Sequence, residues 1–362
     1  LYINIRKSDG AKFQFHFESD QFMDADDESI QLNKIGLSEG VVNFYSKIDS
    51  KFKFRLKFDW VDDFTDGFAA VKLNGKWNYI NTEGQFLSHE WFDSVGSFKK
   101  GFASVQLNGK TNFINTEGQF LSERWFDDVD GFCDGFAAVK LNGKWNYINT
   151  EGQFLSRQWF DDAWNFKGGF AAVSLNSMWN FINTEGRFLS ERWFDVVWNF
   201  YEGFAIVRLN DKWNFINHQG QLPSKQWFDA AWNFRDGVAE VILNGKYNFI
   251  NTEGRLLSQQ WFNNVGSFYD GFAAVKLNGK WNYINTEGRL LSQQWFDEAW
   301  NFREGLAQVF LNGKTNFINT KGQFLSERWF DDAGGFIKRF AEVLLNGKWS
   351  LINTEGELLS KQ

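Results

Sequence analysis

The chain is poor in the residues that carry chemistry or staple a fold. Its 362 residues include one cysteine, Cys133, so no intramolecular disulfide can form. The three histidines, His16, His89 and His218, lie far apart and offer neither a catalytic triad nor metal-ligand spacing. The single proline, Pro223, excludes proline-rich linkers. No apolar run reaches the roughly 18 residues of a membrane-spanning helix. Basic residues are not in excess: 38 Lys and Arg face 45 Asp and Glu, a formal net charge of -7. Nucleic-acid binders present a basic face, and single-strand binders a cationic groove beside their aromatics, so nucleic acid is not an expected partner. There is no glycine-rich phosphate loop. No catalytic residue, metal or cofactor is expected, and the chain is read as not an enzyme. It begins at Leu1 rather than Met. A processed or truncated chain is therefore expected, and cytoplasmic and secreted locations both stay open.

What the chain has in abundance is aromatic residues, with 43 Phe and 19 Trp, in a pattern that repeats. Trp-Phe recurs every 34 residues from Trp91 through Trp125, Trp159, Trp193, Trp227, Trp261, Trp295 and Trp329, with no insertion or deletion. An earlier copy stands at Lys57-Phe58. A fixed period of this size marks a solenoid, propeller or array.

Residues 125 to 158 serve as a specimen. Phe136 to Leu141 alternates as a half-buried strand does. Asn142-Gly143 follows, the strongest short hairpin signal, because a type I′ turn needs positive φ at both central residues. Lys144 to Asn149 is the second strand. Thr150-Glu151-Gly152 is a turn leading into a short third strand at Gln153 to Ser156, and Asp161 to Phe166 is a fourth strand or an irregular edge. Helical periodicity is absent, so the class is all-β. The expected architecture is nine tandem 34-residue β-meander repeats over 57–362, stacked in an open superhelical β-solenoid, with a closed β-propeller as the alternative. Residues 1–56 form the expected N-terminal cap, with a degenerate hairpin between Gly40 and Phe54.

The run Phe-Ala-Ala-Val-Lys-Leu-Asn-Gly-Lys-Trp-Asn-Tyr-Ile-Asn-Thr-Glu-Gly resembles the WG (KWG) repeat of bacterial proteins, across 57–362 and more weakly across 40–56. The resemblance implies a β-rich array that serves as an interaction module, with no catalytic residues. One departure is systematic. The family has Trp-Gly, and this chain has Trp-Asn at Trp77, Trp145, Trp179, Trp213 and Trp281. Thr111, Tyr247 and Thr315 replace the Trp, and Ser350 follows Trp349.

Comparing the copies sorts the tryptophans. The Trp of Trp-Phe is expected to form a stacked core column. The hairpin Trp, which tolerates Thr and Tyr, is expected to be half exposed. A third class, Trp164, Trp198, Trp232 and Trp300, stands five residues after the marker, where other copies have Asp62, Gly96, Asp130, Gly266 or Gly334. A core site would not accept both Trp and Asp, so these side chains are expected at the surface. With the hairpin Trp145, Trp179 and Trp213 they make the candidate binding set. Two Asn series, one starting at Asn78 and one at Asn81, are read as bonding turn backbones or each other, and the acidic pairs such as Asp161-Asp162 as turn caps. The leading functional expectation is a scaffold for a protein partner. A glycan-binding or cell-wall-binding lectin-like protein, resting on Trp beside Asn and Asp, is one alternative. A fibre subunit that self-associates end to end is the other.

Overall fold

A computed structural model describes residues 58–359 and, before them, the backbone of four strands, Tyr2–Arg6, Lys12–His16, Gln21–Met23 and Ser29–Ile30. Those four pair antiparallel in chain order. The degenerate hairpin between residues 40 and 56 and the marker Lys57 lie outside the described residues. The chain divides into two compact units, residues 1–108 with 114–119, and residues 109–113 with 120–362. In the first, Trp60–Val61, Phe68–Leu73 and Lys76–Asn81 form a three-stranded sheet. In the second, seven antiparallel sheets follow one another, six of three strands and a last of four. The described residues contain no helix. The fold is all-β and built of tandem repeats.

The specimen hairpin pairs Phe136 with Asn149 through Leu141 with Lys144. Its turn has φ of 51° at Asn142 and 78° at Gly143, the left-handed pair that type I′ requires. A second two-residue turn precedes it. Asp134 and Gly135 have φ of 48° and 86°, and Cys133 pairs with Phe136 across them. The Asp-Gly dipeptides at 66, 134, 236 and 270 are the sequence signal for this turn, which reading the glycine alone overlooks.

The third strand is not where the sequence places it. Gln153 to Ser156 makes only an isolated pairing of Phe154 with Ile148. The third strand is instead the two-residue Asp162–Ala163, which joins the next hairpin, opposite Ser174 and Val173. The intervening Phe160 exchanges both backbone hydrogen bonds with Trp145, at 2.8 Å each. The segment after each Trp-Phe thus leaves the edge of one sheet and becomes the edge of the next.

That crossing explains a second correction. The first strand is buried on both faces, not one: Ala137, Ala138 and Val139 are 0–1% exposed. Each core layer lies between consecutive sheets. One layer takes Ala138 and Tyr147 from the specimen sheet, Phe160, Ala163 and Phe166 from the crossing segment, and Ala171, Val173 and Ile182 from the following sheet. The next layer takes Ala172 and Phe181 from the opposite face of that following sheet. A lone meander would be marginal, and stacking supplies the missing apolar partner on each face.

The core column is the Phe of Trp-Phe rather than the Trp. Phe92, Phe126, Phe160, Phe194, Phe228, Phe262, Phe296 and Phe330 are all fully buried. The markers Trp91 through Trp329 are half-buried, and Trp91, Trp125, Trp159, Trp193 and Trp329 pack beside a loop phenylalanine, as Trp159 does on Phe154 at 5.4 Å. Cys133 is half-buried against the layer that holds Tyr147 and Phe160.

Polar clips join successive repeats. Asp161 forms an ion pair with Lys144 of the hairpin before it and accepts the Asn176 N–H of the hairpin after it at 2.6 Å. The Lys144 ammonium, and then the Asn176 N–H, hold its carboxyl below the usual carboxylate range. Lys76, Lys110, Lys212, Lys280 and Lys314 pair in the same way with Asp93, Asp127, Asp229, Asp297 and Asp331. Turn capping by these acids is therefore observed, and the Lys after Asn-Gly is the half of the clip that the sequence reading missed.

Candidate functional site

Trp164 follows the short strand Asp162–Ala163, and its N–H donates to the Ala172 carbonyl at 2.8 Å. Asp162 stands opposite Ser174, and Ser174 opposite Trp179. Alternation along the strand therefore puts Trp164 and Trp179 on one face. Their rings meet at 5.2 Å. Trp198 and Trp213 meet likewise at 5.7 Å, and Trp300 rests on Phe310 at 5.5 Å. Two tyrosines pin this backbone. The Tyr147 hydroxyl donates to the Trp164 carbonyl, and that of Tyr283 to the Trp300 carbonyl, both at 2.6 Å. Burial, and then the charges of Asp162 and Asp130, push the Tyr147 hydroxyl well above its ordinary pKa.

Exposure at the third tryptophan class is divided. Trp198, Trp232 and Trp300 are 45%, 44% and 49% exposed. Trp164, expected at the surface, is half-buried, because its ring also packs on the layer around Phe181 and Phe194.

The hairpin tryptophans Trp77, Trp145, Trp179, Trp213 and Trp281 are half-buried, and what covers them depends on the cross-strand residue. Lys140 stands over Trp145 at 5.3 Å, and Lys276 over Trp281 at 5.2 Å. Those two repeats have Asp130 and Gly266 in place of the third-class Trp. Where Trp164, Trp232 and Trp300 occur, the cross-strand residue is Ser174, Ile242 or Phe310. Trp213 takes both neighbours, with Arg208 at 5.6 Å besides Trp198. An indole is therefore lidded by a cation or joined by a second aromatic ring. Trp145, in the candidate set, is of the lidded kind.

The two Asn series, alike in sequence, do different things. Asn146 is fully buried. Its Oδ1 accepts the Tyr147 N–H at 2.8 Å, and its Nδ2 donates to the Ser156 carbonyl at 2.8 Å. Asn78, Asn112, Asn180, Asn214, Asn248, Asn282 and Asn316 are equally buried. They bind the backbone of their own loops, the first of the two expected arrangements, rather than each other. Asn149 is half-buried, and its Oδ1 caps the Thr-Glu-Gly turn through the Glu151 and Gln153 N–H groups, at 3.1 and 2.8 Å.

Nine successive segments match one family, the WG containing repeat: 45–77, 79–110, 113–145, 147–179, 181–213, 215–247, 249–281, 283–314 and 317–349. The chain belongs to that family, with a buried Asn where its repeat has Gly after the Trp. No curated protein matches the chain. Similar solved structures include a eukaryotic initiation factor, 11% identical over 80% of this chain and 94% of that one, with a TM-score of 0.30. Kluyveromyces lactis Hsv2p is 9% identical over 62% and 92%, with a TM-score of 0.25. PorZ, a surface component of the type-IX secretion system of Porphyromonas gingivalis, is 10% identical over 84% and 52%, also with a TM-score of 0.25. No helix among the described residues is long and apolar enough to cross a membrane.

Proposed function

We propose that the chain is a non-catalytic scaffold that holds a protein partner through the exposed aromatic positions Trp198, Trp232 and Trp300. The observation that carries this reading is their exposure, close to half of each residue, on a backbone fixed by sheet hydrogen bonds. Large aromatics held on rigid elements contribute most when a partner covers them. Trp179 and Trp213 extend the same surface beneath the third-class rings.

The glycan reading keeps the indoles and loses its polar half. Asn78 and its equivalents are out of solvent with their amides engaged, and the Asn81 series spends its oxygen on turns.

The test replaces Trp198, Trp232 and Trp300 together with Ala. Partner capture from the native host is expected to disappear while the thermal transition moves by a few degrees at most. A large loss of stability would make these side chains part of the core and sink the reading. A glycan array that responds to the parent and not to the variant would favour the sugar alternative.

A further inference from the structure

The repeat is broken once by the chain's single proline, and a cleft opens there. In the neighbouring repeats the loop after Thr-Glu-Gly is tied to its own hairpin by a leucine N–H. Leu155 donates to the Tyr147 carbonyl at 2.9 Å, and Leu189 to Phe181 and Leu257 to Phe249 at 2.8 Å. Pro223 occupies that position and has no N–H to give. The residue before it also changes. Phe154, Phe188 and Phe324 lie against the marker Trp of their loops at 5.2–5.4 Å. Leu222, like Leu256 and Leu290 of the two following loops, has no ring to place on its marker Trp, so the lost N–H at Pro223 is what sets this loop apart.

Beside this proline lies a cavity of about 580 Å³ between the loops 189–192 and 220–227. That size falls within the several-hundred-Å³ range of ligand clefts. Leu189, Leu222 and the half-buried Trp227 give it apolar walls. Arg192 and Lys225, both exposed, stand at it with one opposing carboxylate, Glu191. Its frame is rigid, because the buried amides of Asn180 and Asn214 hold the Ser190 and Ser224 carbonyls at 2.7 and 2.9 Å. Ser224 is buried, and its Oγ accepts the Gln226 N–H at 3.0 Å, so its hydroxyl proton is left to donate.

We propose that this cleft binds an acidic peptide segment of the partner, with a carboxylate between Arg192 and Lys225 and the neighbouring apolar side chain on Trp227 and the two leucines. It rests on the protein-scaffold reading and assigns a second, chemically specific contact to it. Two cations against one carboxylate make a locally positive spot on a chain of net charge -7, which selects for an anion. A carboxylate alone fills a small part of the volume. Leucine and indole walls suit an apolar side chain better than a hydroxylated sugar ring.

The experiment measures fluorescence anisotropy of two labelled octapeptides on the full chain, one alternating Glu and Leu, the other alternating Gln and Leu. The acidic peptide is expected to bind at least about tenfold more tightly, a difference that shrinks at high salt. Arg192→Gln with Lys225→Gln should remove the difference. Pro223→Leu restores the residue of the intact loops, Leu222→Phe adds the ring found at Phe154 and Phe188, and the pair should abolish binding while the thermal transition is kept. Equal binding of the two peptides, or binding unchanged by the restored loop, would overturn the proposal, as would equally effective competition by polygalacturonate. If the restored-loop variant still captures its partner through Trp198, Trp232 and Trp300, the scaffold reading survives without the cleft. If the triple Trp variant keeps the acidic peptide but also keeps the partner, the cleft survives without the aromatic surface.

Discussion

Asn146 and Asn149 lie three residues apart on one strand and recur with equal regularity, yet replacing each with Ala should have very different consequences. The Tyr147 N–H points away from the hairpin partner strand and is met by the Asn146 Oδ1, and the Ser156 carbonyl is met by the Asn146 Nδ2. Asn146 is fully buried, so Asn146→Ala leaves a donor and an acceptor without solvent. Each such group costs about 1–3 kcal/mol, so a loss of about 2–6 kcal/mol is expected. Asn149 is half-buried and bonds turn N–H groups that water can reach. Asn149→Ala should cost about 1 kcal/mol, as loss of a cap does. Guanidinium unfolding with limited proteolysis of the 144–160 segment measures both, because a repeat array can open locally before it unfolds globally. A loss below about 1 kcal/mol for Asn146→Ala would refute the argument, since it would mean that water satisfies both groups.

Glycines of equal φ should also part. Gly143 (φ 78°) has open space where a Cβ would stand, and Gly143→Ala should cost about 1–2 kcal/mol from backbone strain alone. At Gly152 (φ 79°) a Cβ would collide with the Leu121 carbonyl of the preceding repeat, so Gly152→Ala should cost clearly more in the same unfolding assay. Phe160→Ala should cost about 3–5 kcal/mol as a large-to-small core change, and Trp159→Ala less, because its ring is half-buried. The acids of the Lys–Asp clips titrate lower folded than unfolded. Their contribution is therefore complete above the unfolded carboxylate pKa, about 3.9, and is lost as pH falls through the depressed folded values. Replacing Asp127, Asp161, Asp229, Asp297 and Asp331 with Asn should flatten the acid limb of a stability-against-pH curve, and an unchanged limb would show that the clips are screened out.

The repeat, the all-β class and the hairpins are local properties, and local chemistry states them. Asn-Gly needs left-handed φ, alternation defines a strand, and a 34-residue beat allows no other register. Three matters needed neighbours in space. Which member of Trp-Phe is core depends on the crossing segment, whose Phe160 pairs with one sheet before the chain joins the next. The strand Asp162–Ala163 falls inside the edge segment read at Asp161 to Phe166, but its partner could not be read, because it lies in the following hairpin. The burial of both faces of Phe136–Leu141 follows from stacking, which a half-buried pattern within one repeat does not reveal.

The candidate site was legible in part. The alternation of Trp with Asp and Gly at one position pointed to the surface, and Trp198, Trp232 and Trp300 are there. Trp164 is drawn inward by the layer of the following repeat, and Trp145 is lidded by Lys140, a cross-strand neighbour invisible until the register is known. By itself the sequence determined the unit, its turns and the positions free to vary. Tertiary structure alone decided which of those side chains meet solvent, because exposure is a property of what the next sheet covers.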